Sequence, residues 1–245
     1  MENIRVFRFD EIDSTNNYLK ELNPKYNLDL VIAKSQSMGR GRRGNKWVSE
    51  NGAALFSFLL EDNKNMESSE YIKLPLVMGI ATLKGIKKYL TDNKNCELSE
   101  NISYKWTNDV YLYERKISGI LIEKVNNFFV VGIGINVNNT ILEELKNYAT
   151  SLYEFTKIEN DIEKIIFEVI SQVEYYFNKF QKGKWSEILE EINSYNLLEN
   201  REIEVHFNDK IKKGNSGNIL ENGCLEFFTN EERMELSVGE VHLKI

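Results

Sequence analysis

The chain has 245 residues, 42% of them hydrophobic, enough for one large domain or one large and one small. A formal charge of −7 argues against a general nucleic-acid-binding surface, and no apolar run reaches the length of a membrane span. Cys96 and Cys224 are far apart without ligand-like spacing, and the N-terminus has no apolar signal core, so a reducing cytoplasm is the expected setting.

In chain order, residues 6–9 read as a short strand. The DSTN at 13–16 reads as a helix start, with Tyr18, Leu19 and Leu22 giving the apolar side. Residues 30–33 read as a strand feeding the segment SQSMGRGRRGNKWVSENG at 35–52. The chain holds eight arginines, and Arg40, Arg42 and Arg43 fall within four positions here, among Gly39, Gly41 and Gly44. Arginine's forked donors suit carboxylate and phosphate, and glycine lets a backbone close around a ligand. The pattern points to an anionic small molecule; on the loop alone, a disordered surface loop, or one that orders only when ligand binds, stays open. The glycine spacing opens no helix, and Lys46 and Trp47 stand wrongly for a Walker A loop, so neither nucleotide fingerprint applies.

Residues 53–60, AALFSFLL, read as a central strand, and 71–90 as a long helix with Leu76, Ile80, Leu83 and Ile86 at helical spacing. Residues 102–106, 110–113, 117–124 and 128–137 read as consecutive strands, with hairpin turns at Glu114-Arg115 and Asn126-Asn127. Residues 161–180 and 185–195 read as amphipathic helices. From Arg201 the texture changes: short β-like runs at 202–207, 218–220, 225–228 and 241–245 suggest a small appended β-barrel.

Two patterns inside the strand block carry polar groups. KWTND at 105–109 and KISGILIE at 116–123 put Lys105, Asn108, Asp109 and Lys116 beside apolar strands. Buried unpaired they would be costly, so they sit at solvated turns or meet in a ligand site. GIGINVN at 132–138 sets glycines inside an apolar strand, a mark of close approach. Asn136 there is either a satisfied core amide or an oxygen offered to a nucleotide.

Together DSTN, SQSMGRGRRGNKWVS, KWTNDVYL, KISGILIE and GIGINVN, in this order and spacing, resemble the biotin–protein ligase family over nearly the whole chain. Thr107 stands where that family usually has proline. The resemblance implies an α+β fold, a mixed or antiparallel sheet packed with helices in the class II synthetase-like manner. It implies a catalytic domain over 1–200 and an SH3-like β-barrel over 201–245, resembled by Gly217 to Leu225 and Gly239-Glu240-Val241. It implies an ATP- and Mg2+-dependent enzyme that makes biotinyl-5′-AMP and passes biotin to a lysine of a biotin carboxyl carrier protein. The motifs begin by residue 13, which fits a short form without an N-terminal DNA-binding domain. No DNA or membrane partner and no protein metal ligand is implied, and a homodimer is left open. A lipoate or octanoate ligase, or a biotin-sensing regulator without catalysis, are the alternatives.

By position, the resemblance assigns Ser14, Thr15, Asn16 and Gln36 to biotin's ureido ring. Arg40 falls near the biotin carboxylate or the acyl-phosphate link to the adenylate, Arg42 on the α-phosphate, and Gly41 in the same cradle. Lys116 falls between carboxylate and phosphate, and Gly119 where the strand approaches ligand. Arg43, Asn108 and Asn136 fall by the nucleotide and its magnesium. Trp47 becomes a cover, and Asp109 the base or orienting group for the acceptor lysine.

Overall fold

A computed structural model describes residues 4–48, 51–63, 66–207, 210–237 and 240–243. In chain order the elements are β1 (Val6–Ile12), α1 (Thr15–Glu21), β2 (Leu30–Gln36), β3 (Ala54–Glu61), α2 (Leu74–Asp92) and α3 (Cys96–Glu100). Then come β4 (Ile102–Lys105), β5 (Asp109–Leu112), β6 (Arg115–Val125), β7 (Phe128–Ile135), α4 (Leu152–Thr156), α5 (Ile162–Gln181) and α6 (Trp185–Ser194). The chain ends in β8 (Glu202–Phe207), β9 (Lys210–Ile219), β10 (Leu225–Phe228), β11 (Arg233–Leu236) and β12 (Glu240–Leu243).

The first seven strands form one mixed sheet in the order β1-β2-β3-β7-β6-β5-β4, in which only β1 and β2 run parallel. Strand side chains alternate between faces. Phe56, Phe58 and Leu60 of β3, with Val131, Ile133 and Ile135 of β7, therefore point into the core under α2 and α5. Leu59 and Val130 point the other way, onto Leu19 of α1. The two long helices lie close together because Gly85 has no side chain: a Cβ there would stand 2.6 Å from Val169 Cα. That contact ties a single glycine to the interhelix spacing, and each large apolar side chain buried beneath it contributes roughly 1.5–3 kcal/mol. α1 is short and covers only part of its face, so the rest of that face, built by β7, β6 and β5, is open to a ligand.

The β4 edge of this sheet is closed by main chain. Tyr104 N–H donates to Tyr195 O at 2.7 Å, and Leu197 N–H donates to Tyr104 O at 2.8 Å. The C-terminal strands form a second, antiparallel sheet in the order β11-β10-β9-β8-β12. Its apolar face (Ile203, Val205, Leu225, Phe227) is continuous with the main core. Indole donors fasten it: Trp185 Nε1 to Glu221 O at 2.7 Å and Trp106 Nε1 to Gly223 O at 3.1 Å.

Several elements differ from the sequence reading. The run at 218–220 is the end of a ten-residue strand, β9. Its sequence, KIKKGNSGNI, is too polar to show alternation, and Gly214 is needed because a Cβ there would overlap Phe228 O. β11, α3 and α4 were not anticipated; each is a single short piece of four or five residues, without a period to detect. The first hairpin turn is Tyr113-Glu114, one residue earlier than expected. Both take positive φ (46° and 62°), as a two-residue turn between paired Leu112 and Arg115 requires. The Asn126 turn stands where expected, between paired Val125 and Phe128. Among the described residues no helix is long and apolar enough to cross a membrane. Ser49 and Gly239 lie outside the described residues.

Candidate active site

The open part of the sheet face floors a cleft of about 860 Å³. Its lining includes Ser14, Thr15, Asn16, Gln36, Arg40, Gly41, Arg42, Trp47, Asn108, Asp109, Lys116, Gly119 and Asn136, so every sequence-assigned residue whose side chain is described meets in one place. Of Arg43 only the backbone is described.

The first wall comes from the start of α1. Ser14 takes the N-cap position with extended backbone, yet its hydroxyl makes no cap hydrogen bond. The capping role thus does not explain it. Thr15 N–H donates to Gln36 Oε1 at 2.8 Å, and Thr15 Oγ1 lies 2.6 Å from Ser57 Oγ. Ser57 Oγ donates to Asn16 Oδ1 at 2.6 Å, and Asn16 Nδ2 donates to Glu123 Oε2 at 2.8 Å. Asn16 can sit this low because position 132 is glycine: a Cβ there would overlap Asn16 Oδ1. Burial works against the charge on Glu123, but hydrogen bonds from Lys20 and Asn16 outweigh it, with help from the nearby charges of Lys20 and Arg40. The carboxyl is held below the usual glutamate range.

Ser57 and Glu123 were missed by sequence reasoning. The signal existed in both cases. Ser57 is the one hydroxyl in the apolar run AALFSFLL, and Glu123 closes KISGILIE on the same strand as Lys116.

The second wall is the glycine–arginine loop. It folds as a small closed hairpin: Arg40 bridges Lys46, Gly41 N–H donates to Asn45 O at 2.7 Å, and Trp47 N–H donates to Gly39 O at 3.1 Å. Between the bridged residues lies a short 3-10 turn, Arg42–Gly44, closed by Gly44 at φ 79°. Arg42 Nη1 donates to Thr107 Oγ1 and, at 2.8 Å, to Asn108 Oδ1, docking the loop on the β4–β5 turn. Asn108 is itself held by donation from Nδ2 to Ile120 O at 2.7 Å. Trp47 lies flat across the floor, over Gly134 and Gly119; a Cβ at Gly134 would stand 2.5 Å from Trp47 Cζ2 and one at Gly119 3.0 Å from Cζ3.

Lys116 and Asp109 sit beyond Trp47. The β5–β6 ladder shifts register between Val110 and Tyr111. Such an irregularity re-aims side chains, and here Lys116 and Gly119 share the cleft face: a Cβ at Gly119 would stand 3.2 Å from Lys116 Nζ. Lys116 Nζ is 2.8 Å from Asp109 Oδ1, a close ion pair. Both residues are mostly buried, at 32% and 19% side-chain exposure, so the solvated-turn reading does not hold. Trp47 Nε1 lacks a hydrogen-bond partner among the described residues, although it is buried. Buried polar atoms are rarely left so unless something else pairs with them. Asn136 proves half-satisfied: it is 7% exposed, and its Oδ1 accepts from Asn139 Nδ2 at 3.1 Å, leaving one lone pair.

Chemically, one cleft offers a neutral polar wall, an aromatic cover and a cluster of fixed cations. An elongated acid with a polar head would find its head at Thr15 and Asn16 and its carboxylate among Arg40, Arg42 and Lys116. Those cations also suit phosphate.

The profile of the Biotin/lipoate A/B protein ligase family matches residues 8–139. The chain is 36% identical over 139 residues to the bifunctional ligase/repressor BirA of Escherichia coli, covering 54% of this chain and 40% of that protein. It is 28% identical over 145 residues to the biotin–[acetyl-CoA-carboxylase] ligase of Mycobacterium tuberculosis, covering 59% and 52%. It thus spans about half or less of the length of these relatives. Among solved structures, the biotin protein ligase of Aquifex aeolicus in complex with biotin and ATP superposes with a TM-score of 0.85 at 34% identity, covering 98% of both chains.

Proposed function

The chain belongs to the biotin/lipoate A/B protein ligase family, and on that premise we propose that it activates biotin with ATP and transfers it to a lysine of a biotin carboxyl carrier domain. The observation that carries the reading is the order of groups along the floor: Asn16 over Gly132, Trp47 over Gly134 and Gly119, then Lys116 and Asp109. Residues 132 and 134 are two apart on one strand, about 7 Å. The ureido wall and the cations are therefore separated by the aromatic cover, as a bicyclic head and a flexible acid tail require.

A carboxylate is a poor acyl donor and repels the phosphates of ATP. Arg40, Arg42 and Lys116 offset that repulsion and stabilise charge as it develops on the α-phosphate. Attack by the carboxylate oxygen on the α-phosphorus releases pyrophosphate and leaves biotinyl-5′-AMP. Trp47 and the docked loop exclude water from this anhydride. The acceptor amine, once deprotonated, then attacks the acyl carbon and AMP departs. Asp109 takes or orients the amine proton, exchanging its Lys116 partner for the incoming nitrogen. Asn108 and Asn136 position the nucleotide.

Among the described residues no cluster of three or more histidine, cysteine or carboxylate side chains could hold a metal. Magnesium would arrive on the phosphates, where the free lone pair of Asn136 is an oxygen ligand of the hard type it takes. It would supply charge screening. The sheet beyond residue 200 is read as an SH3-like barrel that braces the cleft, which Arg201 and Val241 border. The setting is read as cytoplasmic.

The test is ATP–pyrophosphate exchange with biotin, lipoate or octanoate as the sole acid. Exchange dependent on biotin alone is expected. Exchange with lipoate or octanoate instead would assign the sister activity, and exchange with none would leave a binding module.

A further inference from the structure

The hydrogen-bond chain in the ureido wall has a direction, and one residue sets it. An ionised carboxylate only accepts. The atom of Asn16 facing Glu123 at 2.8 Å must therefore be Nδ2, which turns Oδ1 toward Ser57. An amide oxygen cannot donate, so the 2.6 Å contact between Ser57 Oγ and Asn16 Oδ1 takes Ser57's only proton. Ser57 Oγ is then an acceptor toward Thr15; of the two acceptors near Thr15 Oγ1, Ser57 Oγ at 2.6 Å and Gln36 Oε1 at 3.0 Å, the shorter contact has no other proton to hold it and takes the one from Thr15. Gln36 Oε1 is meanwhile filled by Thr15 N–H, which leaves the Gln36 amide hydrogens for the cleft. Read from the cleft, the wall shows lone pairs on Thr15 and Asn16 and a donor on Gln36. A cyclic urea carries two N–H donors and one carbonyl acceptor, the complement of that set.

We infer that Glu123 is the specificity-determining positioning residue of this site: its charge aligns the protons of Asn16, Ser57 and Thr15 so that the wall accepts hydrogen bonds from a ligand's ring N–H groups. Glu123 touches no ligand in this role and acts through Asn16. With a neutral amide at 123, both orientations of Asn16 find a partner, and the chain loses its direction. Lys20 Nζ, 2.5 Å from Glu123 Oε1, and Arg40, 3.8 Å from Oε2, keep the carboxylate charged without joining the chain. This inference rests on biotin being the acid substrate.

The experiment compares the parent with Glu123→Gln and Lys20→Met in biotin-dependent ATP–pyrophosphate exchange. Desthiobiotin serves as a second ureido acid, and octanoate as a competitor without N–H groups. Losing one ligand hydrogen bond weakens binding about tenfold. Glu123→Gln is expected to raise KM for biotin and desthiobiotin alike by about that factor. The octanoate inhibition constant, KM for ATP and kcat at saturating biotin should stay within about twofold. Lys20→Met, which keeps the carboxylate, should leave KM for biotin within about threefold. An unchanged KM in Glu123→Gln, or octanoate weakening in parallel with biotin, overturns the inference, the latter by revealing mere distortion. So does Lys20→Met matching Glu123→Gln. A parent that shows no biotin-dependent exchange refutes instead the functional reading beneath it.

Discussion

Replacing Gly134 by alanine tests whether the floor of the cleft is what seats the aromatic cover. A Cβ at 134 would stand 2.5 Å from Trp47 Cζ2 and 2.7 Å from Nε1. Nonbonded carbon atoms prefer about 3.5–4.0 Å, so the ring must lift by about 1 Å. It cannot slide toward β6, where Gly119 leaves room only for a hydrogen. Overpacking of this kind costs about 1–3 kcal/mol, and here it falls on the docked position of the loop rather than on the fold. The docked population should therefore drop between about 5- and 150-fold relative to the undocked one. Acrylamide quenching of tryptophan emission reads this directly. The chain has three tryptophans, and Trp106 and Trp185 are only 4% and 6% exposed, so added quenching reports on Trp47. Tryptic cleavage within the Arg40–Lys46 hairpin should accelerate in step. Gly132→Ala is the control: its methyl meets Asn16, so it should leave quenching alone and weaken biotin. A folded Gly134→Ala protein with the quenching and cleavage of the parent would refute the argument.

Arg42→Gly removes the donor that docks the loop on Thr107 and Asn108, and should release free biotinyl-5′-AMP that labels lysines on unrelated proteins; retention of the adenylate at the parent's level, measured by trapping with bulk albumin, contradicts this. Asp109→Asn should slow transfer from preformed adenylate by about 100-fold or more while leaving binding of the adenylate within a few-fold; an unchanged single-turnover transfer rate removes Asp109 from the proton's path. Away from the cleft, burial opposes the charge on Glu191, but hydrogen bonds from Lys84 and Tyr176 outweigh it and lower its pKa. A depressed carboxyl stabilises the fold above its unfolded value, about 4.3, and loses that contribution as pH falls through the folded one. Glu191→Gln should therefore lower the melting temperature at pH 7 and flatten its decline below about pH 4.5; parallel melting curves for variant and parent across that range would count against the pair.

The long apolar elements were legible because burial imposes a period. α2 and α5 carry their facing in the spacing of Leu, Ile, Val and Phe, whereas β3 and β7 show only that they are strands, because both of their faces are largely buried. The direction of β1 against β2 was not legible, since a side-chain pattern is the same for parallel and antiparallel neighbours. β9 stayed hidden because its stability comes from ladder bonds and from Gly214 clearing Phe228, not from its own residues. In the cleft, charged and glycine-rich motifs named most of the site. What they could not convey was pairing across the sheet: that Lys116 would meet Asp109, or that Ser57, in a strand read as plain core, would join two residues of α1. The register shift beside Lys116 is likewise invisible in the sequence, although it decides which face the lysine takes.

The main-chain cover over β4 bears on how copies of the chain can associate. With Tyr195 and Leu197 occupying the hydrogen-bonding groups of Tyr104, strand addition at that end of the seven-stranded sheet is blocked. Among the described residues the other margin of that sheet is β1. A sheet with a single free margin can be extended once, by a second copy presenting the same margin, and the joined pair then has none left. Any growth through this sheet therefore terminates at two, and the polymer that an open-ended sheet invites cannot propagate.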